Sequence, residues 1–454
     1  MKEYDVIIVG SGSGLRLAYK ALSENMKVAL VAREYLGGTC VNVGCVPSKT
    51  LLYTADQVLE IEKAEQFGIS VGIKAINFPG IMERVRDQIR NGTEMIREGL
   101  KDSENLDFYE AEAEFVSEYT LAVSGEEIRA PKIFLASGAR PAIPPITGLS
   151  DVRYLTNESL LQLEKLPKSI LIVGGSYIGV EYAHFFAAMG AKVSVVEYND
   201  RLVAFEEPEV SELLEKSLRQ RMDIYPGYEA LSVEESAGRI VLSVRERKSK
   251  TEKRLEGEQI LIATGRKSNA DRLKVERAGI ALTSNGFIAV DDTLETTKPG
   301  IWALGDATGK GMFTHAADQE GDIAWHNALW ETKRTMDFEA VPHAVFTTPQ
   351  IASIGLTEAQ ARTRYEIQVG RAGYADIVQG DVRRESEAFA KAIVEKGTGR
   401  ILGFHIIGPD AAILLQEVVN VVARKGDYSS IREAMHIFPA ASELITETLA
   451  NLEE

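Results

Sequence analysis

The 454-residue sequence predicts an α/β protein with two Rossmann-like nucleotide-binding domains and a C-terminal α+β domain. Two apolar runs, at residues 6–9 and 170–173, each lead into a glycine-rich turn and a helical pattern, which is the order of a nucleotide-binding βαβ unit. Beyond residue 341, strand-like runs precede two helical patterns near 411–423 and 440–449, which is typical of an α+β domain.

The first nucleotide-binding unit opens the chain. Its strand, turn, helix and second strand are expected at residues 6–9, 10–14, 15–24 and 27–31. Glycines in such a turn let the backbone approach a pyrophosphate, and the helix N-terminus stabilises negative charge. The Gly-x-Gly-x-x-Gly pattern is incomplete, because Leu15 occupies the third-glycine position. Ala32 stands where an acid that binds the ribose is expected, with Glu34 two residues later, so no carboxylate is firmly predicted on the adenosine.

The second unit begins at Ser169. Its strand, turn, helix and second strand are expected at residues 170–173, 174–179, 180–189 and 192–197. Ser176 replaces the middle glycine, and Glu197 stands 23 positions after the first glycine. A carboxylate there suits both ribose hydroxyls of NAD and repels the 2′-phosphate of NADP, so the sequence favours NAD. The alternative for Glu197 is an exposed charge at a strand end.

The segments around the second unit predict further elements and a boundary. An amphipathic helix is expected over about 78–100, short strands over 107–136 and again over 221–261, and a buried strand over 301–304. The proline-rich stretch 141–145 cannot form the interior of a helix or a central strand, and we interpret it as a linker between domains.

Composition and charge exclude several classes of function. The net charge of −16 argues against nucleic acid as a partner and against an anionic membrane surface. No apolar run reaches the roughly 20 residues of a membrane span. A strand is expected almost from Met1, which leaves no room for a signal peptide, so we expect a cytoplasmic protein.

Cys40 and Cys45 are the only cysteines in the chain and lie within the stretch Leu36–Lys49. Their spacing suits a helical turn, where near-neighbours share a face, and can bring the sulfurs within bonding distance. The alternative is a pair of buried thiols that pack as small hydrophobic side chains. A resident metal is not expected, because structural zinc needs four Cys or His ligands and the sequence has no second cysteine pair.

The stretch Leu36–Lys49 resembles the redox-active disulfide segment of the flavin-dependent pyridine nucleotide–disulfide oxidoreductases, which include dihydrolipoamide dehydrogenase, glutathione reductase and mercuric reductase. The segment His315–Gly321 has the form of the dihydrolipoamide dehydrogenase branch. The resemblance covers essentially the whole chain and implies a homodimer that binds FAD and NAD(H). The domains it implies are an FAD domain over 1–147, an NAD domain over 148–266, a return to the FAD domain over 267–335, and a dimerisation domain over 336–454.

The resemblance also implies an order of electron transfer. NADH would pass a hydride to FAD, FAD would reduce the Cys40–Cys45 disulfide through the flavin-proximal Cys45, and Cys40 would meet the acceptor. Lys49 would lie beside the reactive ring of the flavin and Glu181 would pair with Lys49. Tyr177 would cover the flavin until the nicotinamide enters.

Further residues match cofactor-binding positions of the family. For FAD they are Gly10, Gly12, Ser13, Gly14, Gly38, Thr39, Lys49, Ser137, Gly138, Asp306, His315 and Ala316. For the nicotinamide cofactor they are Gly174, Ser176, Tyr177, Ile178, Glu197 and Gly265. Asp306 is expected to bond the ribityl chain, although an acid after glycine is also a common turn residue. The side chain of His315 is expected to be structural.

The acid–base site departs from the family pattern. The family carries His-Pro-x-x-x-Glu near the C-terminus, which acts on the cysteines of the other subunit. Here Pro439 and Glu443 match, but Phe438 occupies the histidine position and cannot carry a proton. Loss of a general acid–base costs about 100- to 10,000-fold in rate. His436 is an alternative proton carrier, but the stronger expectation is that Glu443 lacks its usual partner.

Three functions stay open at this point. The first is dihydrolipoamide dehydrogenase-like activity on a small dithiol or disulfide, or on a lipoyl-bearing protein. The second is an NADH-dependent metal-ion or quinone reductase, because Phe438 suits an acceptor that takes electrons directly. Mercuric reductase is such a relative, but it carries an extra C-terminal cysteine pair that residues 446–454 lack. The third is a flavoprotein binding partner without turnover.

Overall fold

The computed structural model describes residues 1–101 and 103–453. Asp102 and Glu454, the last residue of the predicted dimerisation domain, lie outside the described residues. No helix within the described ranges is long and apolar enough to cross a membrane.

The first part of the chain forms two sheets and a set of helices. Its strands are β1 (Lys2–Glu3), β2 (Val6–Val9), β3 (Val28–Val31), β4 (Leu106–Tyr109), β5 (Ala113–Ser117), β6 (Thr120–Val123), β7 (Glu126–Arg129), β8 (Lys132–Leu135) and β9 (Ala139–Pro141). Its helices are α1 (Ser13–Ser23), α2 (Gly38–Asn42), α3 (Cys45–Lys63) and α4 (Phe78–Lys101).

The middle of the chain forms a second nucleotide-binding unit. Its elements are β10 (Ser169–Val173), α5 (Tyr177–Ala188), β11 (Lys192–Glu197), α6 (Pro208–Leu218), β12 (Asp223–Pro226), β13 (Tyr228–Ser236), β14 (Arg239–Glu246), β15 (Glu252–Gly257), β16 (Gln259–Ile262) and β17 (Arg266–Ser268). The strands β12, β11, β10 and β16 form a parallel sheet in that order, and β13, β14 and β15 form an antiparallel one.

The chain then returns to the first sheet. The returning elements are α7 (Ala270–Leu273), β18 (Ile301–Ala303) and α8 (Thr314–Leu329). β18 pairs in parallel with β8, and the completed sheet has the order β18-β8-β2-β3-β4. Strands β2, β3 and β18 are buried along their whole length, as expected for a parallel sheet covered on both faces. The first sheet is therefore completed by a strand that follows the whole second unit in the sequence.

The last part of the chain forms an antiparallel sheet with helices packed on it. Its elements are β19 (His343–Val345), β20 (Ile351–Gly355), α9 (Glu358–Arg362), β21 (Ile367–Gly373), α10 (Val378–Arg383), β22 (Phe389–Glu395), β23 (Ile401–Ile407), α11 (Ala411–Ala423), α12 (Ser429–Arg432) and α13 (Glu443–Ala450). The sheet order is β19-β20-β23-β22-β21, and one apolar core joins it to α11 and α13. The predicted fold class is confirmed; the domain boundaries stay predictions.

Candidate active site

A cavity of about 2190 Å³ lies where the first sheet, the second unit and the last domain meet. It is lined by both cysteines and by most of the predicted cofactor-binding residues: Gly10, Gly12, Ser13, Gly38, Thr39, Lys49, Ser137, Gly138, Ser176, Tyr177, Ile178, Gly265, Asp306, His315 and Ala316. The structure therefore brings together residues that are up to 306 positions apart in the sequence.

Close backbone approach explains the glycines of the first turn. Gly10 has a φ of +108°, and a Cβ on it would lie 2.0 Å from the carbonyl oxygen of Ala136. A Cβ on Gly38 would lie 2.6 Å from Cα of Gly12, so the glycine turn and the cysteine segment touch through their backbones. These contacts require glycine and leave the turn open towards the cavity.

Gly14 has a different place from the one predicted. A Cβ on Gly14 would lie 2.9 Å from Cγ2 of Ile8, so this glycine lets α1 pack closely on β2. That is the role usually given to the third glycine of the pattern, whose position Leu15 occupies. Leu15 itself lines the cavity. The one-residue displacement explains why the unit forms although its motif is incomplete.

The two cysteines stand on separate helices, so the expectation of one helical turn is wrong. Cys40 lies in α2, which ends at Asn42, and Cys45 is the first residue of α3. Gly44 stands at the break, where a Cβ would lie 2.9 Å from the carbonyl oxygen of Thr39. Both cysteines are free thiols in this structure, and their side chains are hydrogen-bonded to each other.

The environment of the two thiols makes them unequal. The hydrogen bond from Cys40 is the largest influence that lowers the pKa of Cys45, to about 6, against the opposing effect of burial. Thr314, whose Oγ1 lies 3.4 Å from the Cys45 sulfur, and the positive charge of Lys49 lower it further. The same hydrogen bond, together with burial, raises the pKa of Cys40. Cys45 is therefore the thiolate of the pair near neutral pH.

Lys49 forms the ion pair that the sequence resemblance implied. Its Nζ lies 3.0 and 2.9 Å from the two carboxylate oxygens of Glu181, whose side chain is 7% exposed. The backbone N–H of Phe346 also donates to Glu181, at 3.0 Å, and the Lys49 ammonium lies 4.8 Å from the centroid of the Phe346 ring. A buried carboxylate that accepts three hydrogen bonds, two of them from Lys49, holds the lysine in one place.

Tyr177 stands at the start of α5 within a group of rings that we call the aromatic cluster: Tyr177, Phe205, Phe313 and His343. The Tyr177 ring centroid lies 4.3 Å from that of Phe205, 5.5 Å from that of Phe313 and 5.9 Å from that of His343. Burial raises the pKa of Tyr177, so its hydroxyl stays neutral. The ring is thus packed against the cavity wall by three others.

The turn of the second unit is closed by its own acid. Gly174 has a φ of +111°, and a Cβ on Gly179 would lie 1.8 Å from the carbonyl oxygen of Gly174. The Glu197 carboxylate accepts from the N–H of Gly175 at 2.5 Å and from the N–H of Asn199 at 2.6 Å. It is therefore a buried acceptor within the turn, and the alternative of an exposed strand-end charge is wrong.

Phe438 lies on an exposed apolar loop. In the single chain, the residues Met435, Ile437 and Phe438 are 100%, 79% and 70% exposed. His436 Nε2 lies 2.8 Å from Oε1 of Glu417 on α11, whereas Glu443 accepts from the N–H of Ala440 at 3.2 Å. Within the chain, His436 and Glu443 thus have different partners.

Two protein-family models match the chain. The model of the pyridine nucleotide-disulphide oxidoreductases matches residues 4–321, and the dimerisation domain of the same family matches residues 341–449. The chain belongs to this family. It is therefore a flavin-dependent disulfide oxidoreductase, and the family resemblance seen in the sequence is confirmed.

Similar members of the family are named for different substrates. The chain is 34% identical to a mercuric reductase of Bacillus cereus, over 95% of this chain and 69% of that protein. It is 31% identical to the dihydrolipoyl dehydrogenase of Chlamydia trachomatis, over 98% and 96% of the two chains. It also matches the Cu(II) complex of the HOCl-induced flavoprotein disulfide reductase RclA from Escherichia coli, with a TM-score of 0.88 and 30% identity over 99% of both chains.

The described residues fit the FAD that the family uses. The Oγ of Ser137 is buried in the cavity wall without a hydrogen-bond partner, and the glycine turn presents its backbone to the same cavity. Asp306 also faces the cavity and is held by Arg266, whose Nε lies 3.1 Å from Oδ2. Among residues 1–101 and 103–453, no three His, Cys, Asp or Glu side chains are grouped so that they could hold a metal ion.

Several residues of the site were not predicted from the sequence. Thr314, Phe205 and His343 act through contacts between distant segments, and no local motif marks them. Glu320 is fully buried and accepts from the N–H of Gly305 at 2.6 Å, and burial raises its pKa to about 7. In the sequence, its position in the same helix as His315 was the feature that could have pointed to Glu320.

Proposed function

We propose that this chain is an NADH-linked reductase that delivers electrons from the Cys40–Cys45 pair to a reducible metal ion, of which Cu(II) is the best probe. The observation that carries the proposal is Phe438, which stands on an exposed apolar loop at the position of the family's proton carrier. Two relatives point the same way, since one reduces mercury by name and another is known as a Cu(II) complex.

Proton balance favours a metal ion over a disulfide. When a dithiol reduces an external disulfide, the departing thiolate takes up a proton, which the family's histidine normally supplies. When a thiol and a thiolate reduce two Cu(II) to two Cu(I), a disulfide forms and one proton is released. The second reaction needs no proton donor, and the proton that Cys40 loses passes to solvent water, so the reaction proceeds without a proton carrier at Phe438.

The residues of the site have separate tasks in this proposal. FAD, when bound, supplies the acceptor for the hydride of NADH and the donor for the disulfide. Lys49, held by Glu181, places a positive charge beside Cys45 and keeps it a thiolate. Cys40, the thiol with the raised pKa, forms the new disulfide bond to Cys45 as the pair passes two electrons to two Cu(II) ions. Tyr177 covers the route by which the nicotinamide enters.

Two further features of the proposal concern the cofactor and the assembly. Glu197 closes the second turn and favours NADH over NADPH, because a 2′-phosphate beside this carboxylate would be repelled. The dimerisation domain matched over residues 341–449, together with apolar side chains on the free face of α11 such as Ile413, supports a homodimer. We place the protein in the cytoplasm.

An acceptor screen tests the proposal. Purified FAD-loaded protein is given NADH or NADPH with Cu(II), Hg(II), a quinone or lipoamide, and flavin and nicotinamide absorbance are followed. We expect NADH with Cu(II) to give the fastest turnover and the Cys40→Ser variant to lose it. Equal turnover of Cu(II) by wild type and Cys40→Ser would contradict the proposal, since free reduced flavin would then explain it.

A second candidate function is dihydrolipoamide dehydrogenase-like activity. It is favoured by the His315–Gly321 segment and by the dihydrolipoyl dehydrogenase relatives, which match nearly end to end. Lipoamide turnover by wild type that exceeds Cu(II) turnover would favour this function. Turnover no better than that of free flavin would exclude it.

A further inference from the structure

We propose that His343 is a positioning residue for Tyr177, and that the buried carboxylate of Glu206 fixes the His343 ring in place. The inference rests on the proposed role of Tyr177 as the cover over the nicotinamide route. It adds the contacts that determine how strongly the closed position of Tyr177 is favoured over the open one.

The geometry places His343 against every other ring of the aromatic cluster. Its ring is stacked on Phe313 at 5.8 Å with an interplanar angle of 10°, and it meets Phe205 edge-on at 5.8 Å. It meets Tyr177 edge-on at 5.9 Å. Edge-to-face and stacked pairs at these separations are favourable. Movement of Tyr177 out of the cluster breaks its contact with His343.

Glu206 holds the histidine through a short hydrogen bond. His343 Nε2 lies 2.8 Å from Oε1 of Glu206, and Ser353 Oγ donates to Oε2 at 2.6 Å. The Glu206 side chain is 1% exposed, and a second histidine, His405, places Nδ1 3.9 Å from Oε2. A buried carboxylate is costly unless it is paired, so losing the bond to His343 is strongly disfavoured.

This arrangement joins two domains at the cover. Phe205 and Glu206 belong to the loop that follows β11, whereas His343 begins β19 and Ser353 lies in β20. Phe205 contacts the Tyr177 ring, and its neighbour Glu206 is hydrogen-bonded to the His343 ring. The loop after β11 therefore holds both rings of the Tyr177–His343 pair. The last domain therefore stabilises the closed position of Tyr177. An NAD-binding unit alone would lack this stabilisation.

A closed cover reduces the apparent affinity for the nucleotide, because only the open fraction is able to bind. His343→Gln keeps an N–H donor for Glu206 and removes the ring that packs on Tyr177. We expect this variant to bind NAD⁺ about 2- to 10-fold more tightly, the range that corresponds to one aromatic pair. NAD⁺ is the probe because it binds without reducing the flavin.

The experiment is a double-mutant cycle on FAD-loaded protein. The Kd of NAD⁺ is measured by calorimetry for wild type, His343→Gln, Tyr177→Ala and the double variant. We expect His343→Gln to lower the Kd in the wild-type background and to leave it unchanged in the Tyr177→Ala background. Hydrogen exchange of the backbone amides at the start of α5 is followed in parallel, and it should become faster in His343→Gln.

Other outcomes overturn the inference. An unchanged or raised Kd in His343→Gln, or an equal change with and without Tyr177, would show that His343 does not act through Tyr177. If His343→Gln does not fold with FAD, His343→Asn takes its place in the same cycle. Failure of NADH to reduce the flavin of wild type would overturn the proposed function and this inference together, whereas normal reduction with an unchanged cycle overturns the inference alone.

Discussion

Among individual residues, Cys45 and its neighbours decide where negative charge resides in the site. Its low pKa comes from the hydrogen bond with Cys40, from Thr314 and from the charge of Lys49. The sequence resemblance implied the Lys49–Glu181 pair, because both positions match a family pattern. It did not reveal Thr314, because a hydroxyl 269 positions from Cys45 is placed by the return of the chain and not by a local motif.

The charge of Lys49 gives a prediction about pH. In the reduced protein, alkylation of Cys45 by iodoacetamide should rise with pH and reach half its maximum near pH 6, since the thiolate is the reactive form. Lys49→Met should move this midpoint to a pH about 1 higher, because a nearby positive charge favours the thiolate. Lys216→Met, on an exposed lysine paired with Glu387, is the matched control and should leave the midpoint in place.

Phe438 gives a second prediction for a single side chain. Phe438→His should raise turnover of lipoamide or another small disulfide by about 10-fold or more, because an imidazole can protonate the departing thiolate. Cu(II) turnover should stay within about twofold. The control His436→Gln alters the neighbouring histidine, which is bonded to Glu417. Unchanged disulfide turnover in Phe438→His would show that the replacement of the family's histidine by Phe438 does not limit disulfide reduction.

Among the elements, the break between α2 and α3 matters most. The spacing of the cysteines predicted one helical turn. Helical periodicity does not reveal that Gly44, at the break between the two helices, lies close to the backbone of Thr39. The strands and helices of both nucleotide-binding units were predictable, since buried parallel strands are continuous apolar runs. The displaced glycine at residue 14 shows that packing of α1 on β2 needs a small residue near the motif, not the motif itself.

Gly44→Ala tests the role of this break. The added Cβ would lie 2.9 Å from the carbonyl oxygen of Thr39, so Cys40 and Cys45 must shift relative to each other. We expect a loss of about 1–3 kcal/mol in the free energy of unfolding and slower closure of the disulfide. Gly72→Ala, where no atom lies within 4 Å of the added Cβ, is the control. Chemical denaturation and thiol counts after oxidation measure both effects.

In the whole molecule, a buried charge network joins the second unit to the last domain. Lys391 on β22 lies 2.9 Å from Glu207, 2.8 Å from Glu209 and 2.7 Å from Glu358. Burial alone raises the pKa of Glu206, but the hydrogen bond from His343 and the proximity of His405, 3.9 Å away, lower it to about 2. The fold class was predictable from the sequence, whereas this contact was not, because the charges come from loops and strands without a shared pattern.

The low pKa of Glu206 gives a prediction about acid stability. Its folded-state pKa lies below the ordinary value of 4.5, so its stabilisation is present above pH 4.5 and is lost as the pH falls towards 2. The difference corresponds to about 3 kcal/mol. Glu206→Gln should lack this pH-dependent part, so that its free energy of unfolding falls less between pH 5 and 3. Parallel slopes for wild type and variant in urea denaturation would contradict the assignment.

Reoxidation of the reduced protein tests the central claim most directly. FAD-loaded protein is reduced anaerobically with one equivalent of NADH, mixed with Cu(II) or with lipoamide, and followed by flavin absorbance and by titration of free thiols. We predict that two equivalents of Cu(II) remove two free thiols per chain faster than lipoamide does, and that Cys40→Ser abolishes this step. Rapid reoxidation by lipoamide with none by Cu(II), or Cu(II) reoxidation that survives in Cys40→Ser, would contradict it.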